Sequence, residues 1–502
     1  MRRHSFLFPA ALCLLAAANC QAAAATSFDA KAWQHDFQLL KQELEKRYSH
    51  LAWMASPQSG VDLPALNQKA QAALAAARDD GEARRAILDF QSGFHDGHFS
   101  LLKAAPPAPA AAAASEPPKR DPALDSPLDG CAAQGYVQSS RINFSLPFET
   151  LPGVRLLSDG LSQSMRSAII DLGPKGKLGL LRIASFSPHD YPLACQRAWS
   201  AVSARVGHFD PDQLFGETMK QWYAETAQRM RDLKAAGAQA LIIDVGDNPG
   251  GNDSGNSMAR LLGAKPGKAA PLWMTRSQAA ENYLKGWEED LSSGLPPDTT
   301  PQDKTILQPF LLQVRSLHTD LKQHPRTGMD WAWREQRAFK PEAPYSGLMQ
   351  TGYASGLLAE LEAGRYSQAV AENLFWPALA FQSQAAWPGP AYVLTDGKSY
   401  SSAEMFAATI QDNRLAKIIG AKTGGDGCGF MGTNLPLTLP HSGLRFRIPN
   451  CVRLRKDGSD EVAGIQPDIA LPDMPGASPR AKAQKVLDMI ERDLAQPGGQ
   501  TS

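Results

Sequence analysis

The stretch TDGKSYSSAEMFAATIQDN, from Thr395 to Asn413, sets Ser399, Ser401 and Ser402 directly ahead of an amphipathic run. Serines in that place have two uses. They cap a helix by accepting its first free N–H groups, or one of them serves as a nucleophile beside a helix N-terminus that favours developing negative charge. A second corner, Asp247-Asn248-Pro249-Gly250-Gly251, follows the apolar run Ala240 to Val245. Adjacent glycines there let backbone N–H groups approach a ligand closely. A serine on one corner and glycine amides on the other could assemble a nucleophile with an oxyanion hole, where losing one donor costs about 3–4 kcal/mol. The G-x-S-x-G elbow of lipases is absent, because Gly397-Lys398-Ser399-Tyr400 is followed by Ser401. Spacing alone leaves cap and nucleophile both open.

These corners need strands and helices to hold them. The continuous apolar run in ALIIDVGDNPGG suits a parallel strand covered on both faces, and NDSGNSMARLLG after it reads as a helix. GPAYVLTD and LAKIIGAKTGG read as further strands, KLGLLRIASFSP as another, and QLFGETMKQWYAETAQRMRDLKAAG as a long helix. LRFRIPNCVRLRKDG reads as a hairpin-like β region and AKAQKVLDMIERDL as a closing helix. Strands alternating with helices argue for an α/β core with a largely parallel sheet. Ahead of it, Trp33, Phe37, Leu40, Leu44 and Tyr48 recur at helical spacing. Two more helical stretches lead to GFHDGHFSLL, where Gly93 and Gly97 interrupt the helix.

The expected organisation is a signal peptide over 1–25, an N-terminal helical domain over 26–103, a Pro/Ala-rich linker over 104–127 and a β-rich segment over 128–176. A core over 177–475 follows, with a mostly helical insertion at about 264–388, and a C-terminal helix and tail over 476–502. The linker's composition cannot build a packed core. Residues 128–176 alternate only weakly, carry no glycine-rich carboxylate-binding loop and are left as a β-rich segment of open type.

Lys+Arg and Asp+Glu both number 51, with no long block of either sign, which argues against a nucleic-acid partner. Met1-Arg2-Arg3, the apolar run Phe6 to Ala18 and an Ala-rich exit describe a secretory leader too short to span a bilayer. Nothing further on is apolar enough for a membrane helix. Removal of that leader gives a periplasmic or secreted location as the expectation; a lipoprotein acylated at Cys20 is the less favoured alternative, because Ala17-Ala18-Asn19 lacks the leucine and the small residue such a site wants. Beyond the leader stand Cys131, Cys195, Cys428 and Cys451, which allow three pairings. Cys428 with Cys451 is the favoured disulfide, since each sits beside a predicted strand of the same C-terminal unit.

ALIIDVGDNPGGN, AYVLTDGKSYSSAEMFAATIQDNRLAKIIGAKTGG and EVAGIQPDI, in that order, resemble the tail-specific, C-terminal-processing and tricorn-core serine peptidases. FHDGHFSLL resembles the histidine motif of the tricorn-like branch. The resemblance implies a ClpP/crotonase-like α/β core of repeated ββα-type units, with an N-terminal helical domain and a helical insertion. It points to Ser401, three residues before Glu404, as nucleophile, with Ser399 and Ser402 as alternatives. Ser402 with Gly250 or Gly251 would form the oxyanion hole. Many relatives place a catalytic lysine 25 positions after the serine, yet that position here is Asp426.

The resemblance therefore assigns the base to His98, assisted by Glu461. A neutral imidazole can take the serine proton, and a carboxylate can stabilise the resulting cation. The tricorn-type serine before the histidine is replaced by Gly97. His98 could instead be a turn residue, and His95 and His98 lack the second cluster a metal pair would need. The expected function is an exported serine peptidase acting on peptide or protein substrates, with no metal or cofactor and no implied oligomeric state. The alternatives are a ligand- or peptide-binding protein on the same scaffold, and an envelope accessory protein that docks partners.

Overall fold

The computed structural model describes residues 28–104, 126–203, 209–263, 267–295, 299–324, 328–432 and 434–496. The expected leader and all but the ends of the expected linker lie outside the described residues.

Four helices open the chain: α1 (Ala30–Arg47), α2 (Leu51–Met54), α3 (Leu63–Ala76) and α4 (Asp80–Ser92). Asp29, Asp62 and Asp79 cap α1, α3 and α4 by accepting N–H groups of the first turn. Strand β1 (Ser100–Leu102) leaves this unit, and α5 (Pro127–Ala133), β2 (Val154–Asp159), β3 (Arg166–Asp171) and β4 (Lys177–Arg182) follow. Next come α6 (Pro192–Ser203), α7 (Pro211–Ala235), β5 (Ala240–Asp244) and α8 (Ser254–Ala259). Residues 267–388 hold β6 (Pro271–Thr275), α9 (Gln278–Asp290), α10 (Pro301–Gln323), β7 (Leu348–Tyr353) and α11 (Gln368–Leu374). The chain closes through β8 (Ala391–Thr395), α12 (Ser402–Asp412), β9 (Lys417–Gly420), β10 (Leu437–Thr438), β11 (Arg445–Arg447), β12 (Cys451–Arg453), β13 (Ile469–Ala470) and α13 (Pro479–Leu494).

The architecture is α/β around a seven-stranded sheet in the order β13-β9-β8-β5-β4-β3-β2. The pairings from β4 to β13 are parallel, and β2 and β3 extend the sheet in antiparallel fashion. Residues 154–171 thus belong to the central sheet. Every residue of β5 and β8 is buried, as strands covered on both faces must be. Trp222, Tyr223, Phe406 and Ile410 from α7 and α12 pack on one face, and Val486, Leu487 and Ile490 from α13 on the other.

The expected hairpin at LRFRIPNCVRLRKDG does not form. Strand β11 pairs with β1 and β10, whereas β12 pairs with β6. The Pro449-Asn450 corner separates them: Asn450 Nδ2 donates to the Met431 carbonyl and its Oδ1 accepts the Met431 N–H, fixing the chain as it changes sheets. This change of sheets brings the N-terminal helices onto the core, because Phe446 and Val452 pack in one cluster with Phe37, Phe90, Phe94 and Phe99. Disulfides join Cys131 to Cys195 and Cys428 to Cys451.

Candidate active site

Parallel strands present their following turns at one edge of the sheet, and both glycine and serine corners lie there, after β5 and β8. The corners are stitched together. Ser399 Oγ donates to the Val245 carbonyl at 2.7 Å, Tyr400 N–H donates to the Asn248 carbonyl at 2.9 Å, and Asp396 Oδ1 accepts the Asp247 N–H at 3.0 Å. Beneath them Asp244 is buried against Arg182 and accepts both the N–H and the hydroxyl of Ser145 at 2.6 Å. A pocket of about 660 Å³ opens beside Leu178, Gln239 and Pro390, at the start of these strands and away from the corners.

The three serines differ in their surroundings. Ser399 is fully buried and its hydroxyl is committed to Val245. The Ser402 hydroxyl is also buried and accepts the Gly255 N–H at 3.1 Å. Ser401 alone combines partial exposure with a left-handed backbone, φ 54° and ψ −113°. A non-glycine residue held there stores about 1–3 kcal/mol of strain. Ser401 is thus both the N-cap of α12 and a sharp strand-to-helix elbow, formed without the flanking glycines of the lipase motif.

Gly250 faces this elbow. A Cβ at that position would lie 2.6 Å from Ser401 Cβ and 2.9 Å from the Ser402 nitrogen, so only glycine allows the approach. The Gly250 N–H is taken by Asn248 Oδ1 at 2.8 Å. Gly250 C=O and Asn252 N–H bond Phe186, which leaves the intervening Gly251 N–H turned away from it. Among the described residues, the amides of Gly251 and Ser402 have no hydrogen-bond acceptor.

His98 reaches the same place from the N-terminal unit. Its loop is fixed by Asp96, whose Oδ1 accepts the His98 N–H at 2.8 Å and whose Oδ2 accepts the Tyr48 hydroxyl at 2.8 Å. His98 Nδ1 lies 2.7 Å from the Asp426 carbonyl oxygen. A carbonyl only accepts, so Nδ1 carries the proton and Nε2 offers its lone pair. Burial pushes His98 below its ordinary value of 6.5, against the carboxylates of Asp96 and Glu404, and the Arg453 guanidinium acts in the same sense as burial. The ring lies over Gly429, where a Cβ would meet Nε2 at 2.8 Å, and packs edge-on to Phe430 at 5.4 Å.

Asp426 stands between base and serine. Its Oδ1 accepts the Ser401 N–H at 2.6 Å, and its Oδ2 lies 3.6 Å from His98 Nε2. Behind it, Glu404 accepts N–H groups of Ser401, Gly425, Asp426 and Gly427 and the Thr423 hydroxyl. Burial and the neighbouring carboxylate push Glu404 up to about 8, and burial pushes Asp426 up to about 6.

Glu461 does not bond His98. Its two oxygens bind the Arg453 guanidinium at 2.7 and 2.8 Å, and Arg453 also donates to the Gly427 carbonyl at 3.0 Å. Both side chains are buried. Two supports had no signature in the sequence reading. His50 is fully buried between Asp460 and the Cys428 carbonyl, and Arg453 lies in a segment read only as a strand. Asp96 and Asp426 were visible beside the motifs, one within DGH and the other in the place of the missing lysine.

A strained serine elbow, two amides without an acceptor and a histidine whose Nε2 carries no proton thus lie together at one edge of the α/β core. Residues 177–471, more than half of the chain, match peptidase family S41, and the protein belongs to that family and is a serine-type peptidase. No curated protein matches the chain in sequence. Among solved structures, mature CPAF aligns over 93% of this chain and 97% of its own at 16% identity and a TM-score of 0.55. CPAF complexed with lactacystin aligns over 93% and 98% with the same identity and TM-score. A putative peptidase from Parabacteroides merdae aligns over 92% and 97% at 12% identity, with a TM-score of 0.43. The two CPAF similarities show the fold.

Proposed function

We propose that the protein is an exported serine peptidase in which Ser401 is the nucleophile and His98 the general base. Ser401 Oγ attacks the peptide carbonyl carbon while His98 Nε2 takes its proton. The carbonyl electron pair moves to oxygen, which the amides of Ser402 and Gly251 receive. On collapse His98 returns the proton to the departing amine, and water then releases the acyl group by the same route. General base catalysis of this kind is worth about 10²–10⁴ in rate. Glu461 assists at one remove: its charge offsets that of Arg453, which otherwise depresses the basicity of His98.

The observation that carries this reading is the fixed tautomer of His98, with its lone pair beside the residue that binds the Ser401 amide. Export is supported by the leader-like N-terminus and by two disulfides, which persist in oxidising compartments. Purified protein should label with a fluorophosphonate and hydrolyse casein, and Ser401→Ala and His98→Ala should each abolish both. Labelling should survive into acid below pH 6.5, where a depressed imidazole stays neutral. Folded protein that never labels, or labelling that persists in Ser401→Ala, would refute the assignment.

A further inference from the structure

The residue in the place of the lysine base does more than replace it. Asp426 touches the nucleophile's backbone through Oδ1, faces the base through Oδ2, and holds the base's far nitrogen with its own carbonyl. Its N–H is in turn held by Glu404 at 3.0 Å. Gly97 makes room for it: a Cβ at position 97 would lie 3.2 Å from Asp426 Cβ and 3.3 Å from Oδ2. The substitution of glycine for the tricorn-type serine and of aspartate for the dyad lysine are thus neighbours in space, each accommodating the other.

We infer that Asp426 is a positioning residue that aligns Ser401 with His98 and stabilises the imidazolium formed during acylation, an inference that rests on the Ser401–His98 reading. When the proton passes from Ser401 Oγ to Nε2 and the new O–C bond forms, a positive charge arises 3.6 Å from an anionic oxygen. Asp426 takes no proton in this step. Its charge lowers the cost of the imidazolium in a site that excludes most water. The other titratable and charged groups facing this place are Glu404 from α12, Asp96 from the loop before β1, and Arg453 from β12 with Glu461 behind it. Only Asp426 contacts both partners.

The test is the second-order rate of fluorophosphonate labelling, followed from about pH 4.5 to 9, in wild type, Asp426→Asn, Asp426→Ser and Ser401→Ala. Asparagine retains an acceptor for the Ser401 N–H and the backbone carbonyl, and removes the charge. The plateau rate should fall about 10- to 100-fold, and the acid limb should move to lower pH, because a lost anion weakens the adjacent base. A wild-type plateau and limb in Asp426→Asn would overturn the inference and leave the Ser401–His98 reading intact. A lower plateau with an unmoved limb would also overturn it, since loosened packing alone does that. Wild type that fails to label, or Ser401→Ala that still labels, would sink both. Should neither variant fold, the ¹⁵N shifts of His98 in wild type decide: an Nδ1–H imidazole with a second inflection from Asp426 upholds the coupling, and one simple titration step overturns it.

Discussion

The pair of His50 and Asp460 allows the sharpest energetic prediction. His50 Nδ1 lies 2.6 Å from Asp460 Oδ2, and Nε2 lies 2.9 Å from the Cys428 carbonyl. Both ring nitrogens face acceptors, so both must carry protons and the ring is a buried imidazolium. Burial by itself would lower the basicity, but the Asp460 carboxylate and the two hydrogen bonds more than offset it, raising His50 from 6.5 to about 9. That difference corresponds to about 3 kcal/mol. Because the folded value is the higher one, the stabilisation is complete below the unfolded value of 6.5 and disappears as pH rises through about 9. His50→Gln removes the titration. Urea unfolding of both proteins should show a stability gap that narrows by about 3 kcal/mol between pH 6 and pH 10. Glu404 also titrates across part of this window, but in both proteins, so the difference cancels it. A gap that does not change with pH would refute the buried imidazolium.

Other outcomes follow from contacts at the site. Gly250→Ala forces a methyl group to within 2.6 Å of Ser401 Cβ and should slow fluorophosphonate labelling at least about 100-fold with circular dichroism unchanged; labelling at the wild-type rate would refute the close approach. Arg453→Met leaves Glu461 buried without its partner and should cost about 3–5 kcal/mol in urea unfolding; an unchanged midpoint would mean the pair is dispensable. Replacing Cys428 and Cys451 together by serine opens a link across 23 positions, worth about 3 kcal/mol. It should also slow labelling, because Gly429 next to it lies under the His98 ring; full activity in the double variant would show that the ring is held by other means.

What the sequence revealed of this arrangement depended on how local the signal was. The β5 run and the serines ahead of α12 are contiguous, so periodicity and composition located both corners of the site. His98 came only through resemblance to a family motif, since one histidine in a glycine-rich loop has no period. Glu461 was assigned by the same route, but what binds it is Arg453, eight positions earlier on a strand that crosses to β6. The hairpin reading failed for a related reason: alternation marks a strand but does not say which neighbour it pairs with. His50 was illegible, because its partners lie 410 and 378 positions further along the chain.

The pairing of β1 with β11 gives the molecule an order of assembly. Ser100 aligns with Arg447 and Leu102 with Arg445, so the loop that carries His98 gains its strand partner only after most of the chain exists. The N-terminal helices likewise share their core with Trp331, Phe339 and Phe446. A chain emerging from the ribosome can therefore build its helices early and still lack the strand that fixes the His98 loop. Long-range pairings of this kind form late, since loop closure must precede the contacts that reward it. The position of the His98 loop is therefore set by residues about 350 positions further along the chain, and a truncation before β11 would remove its strand partner.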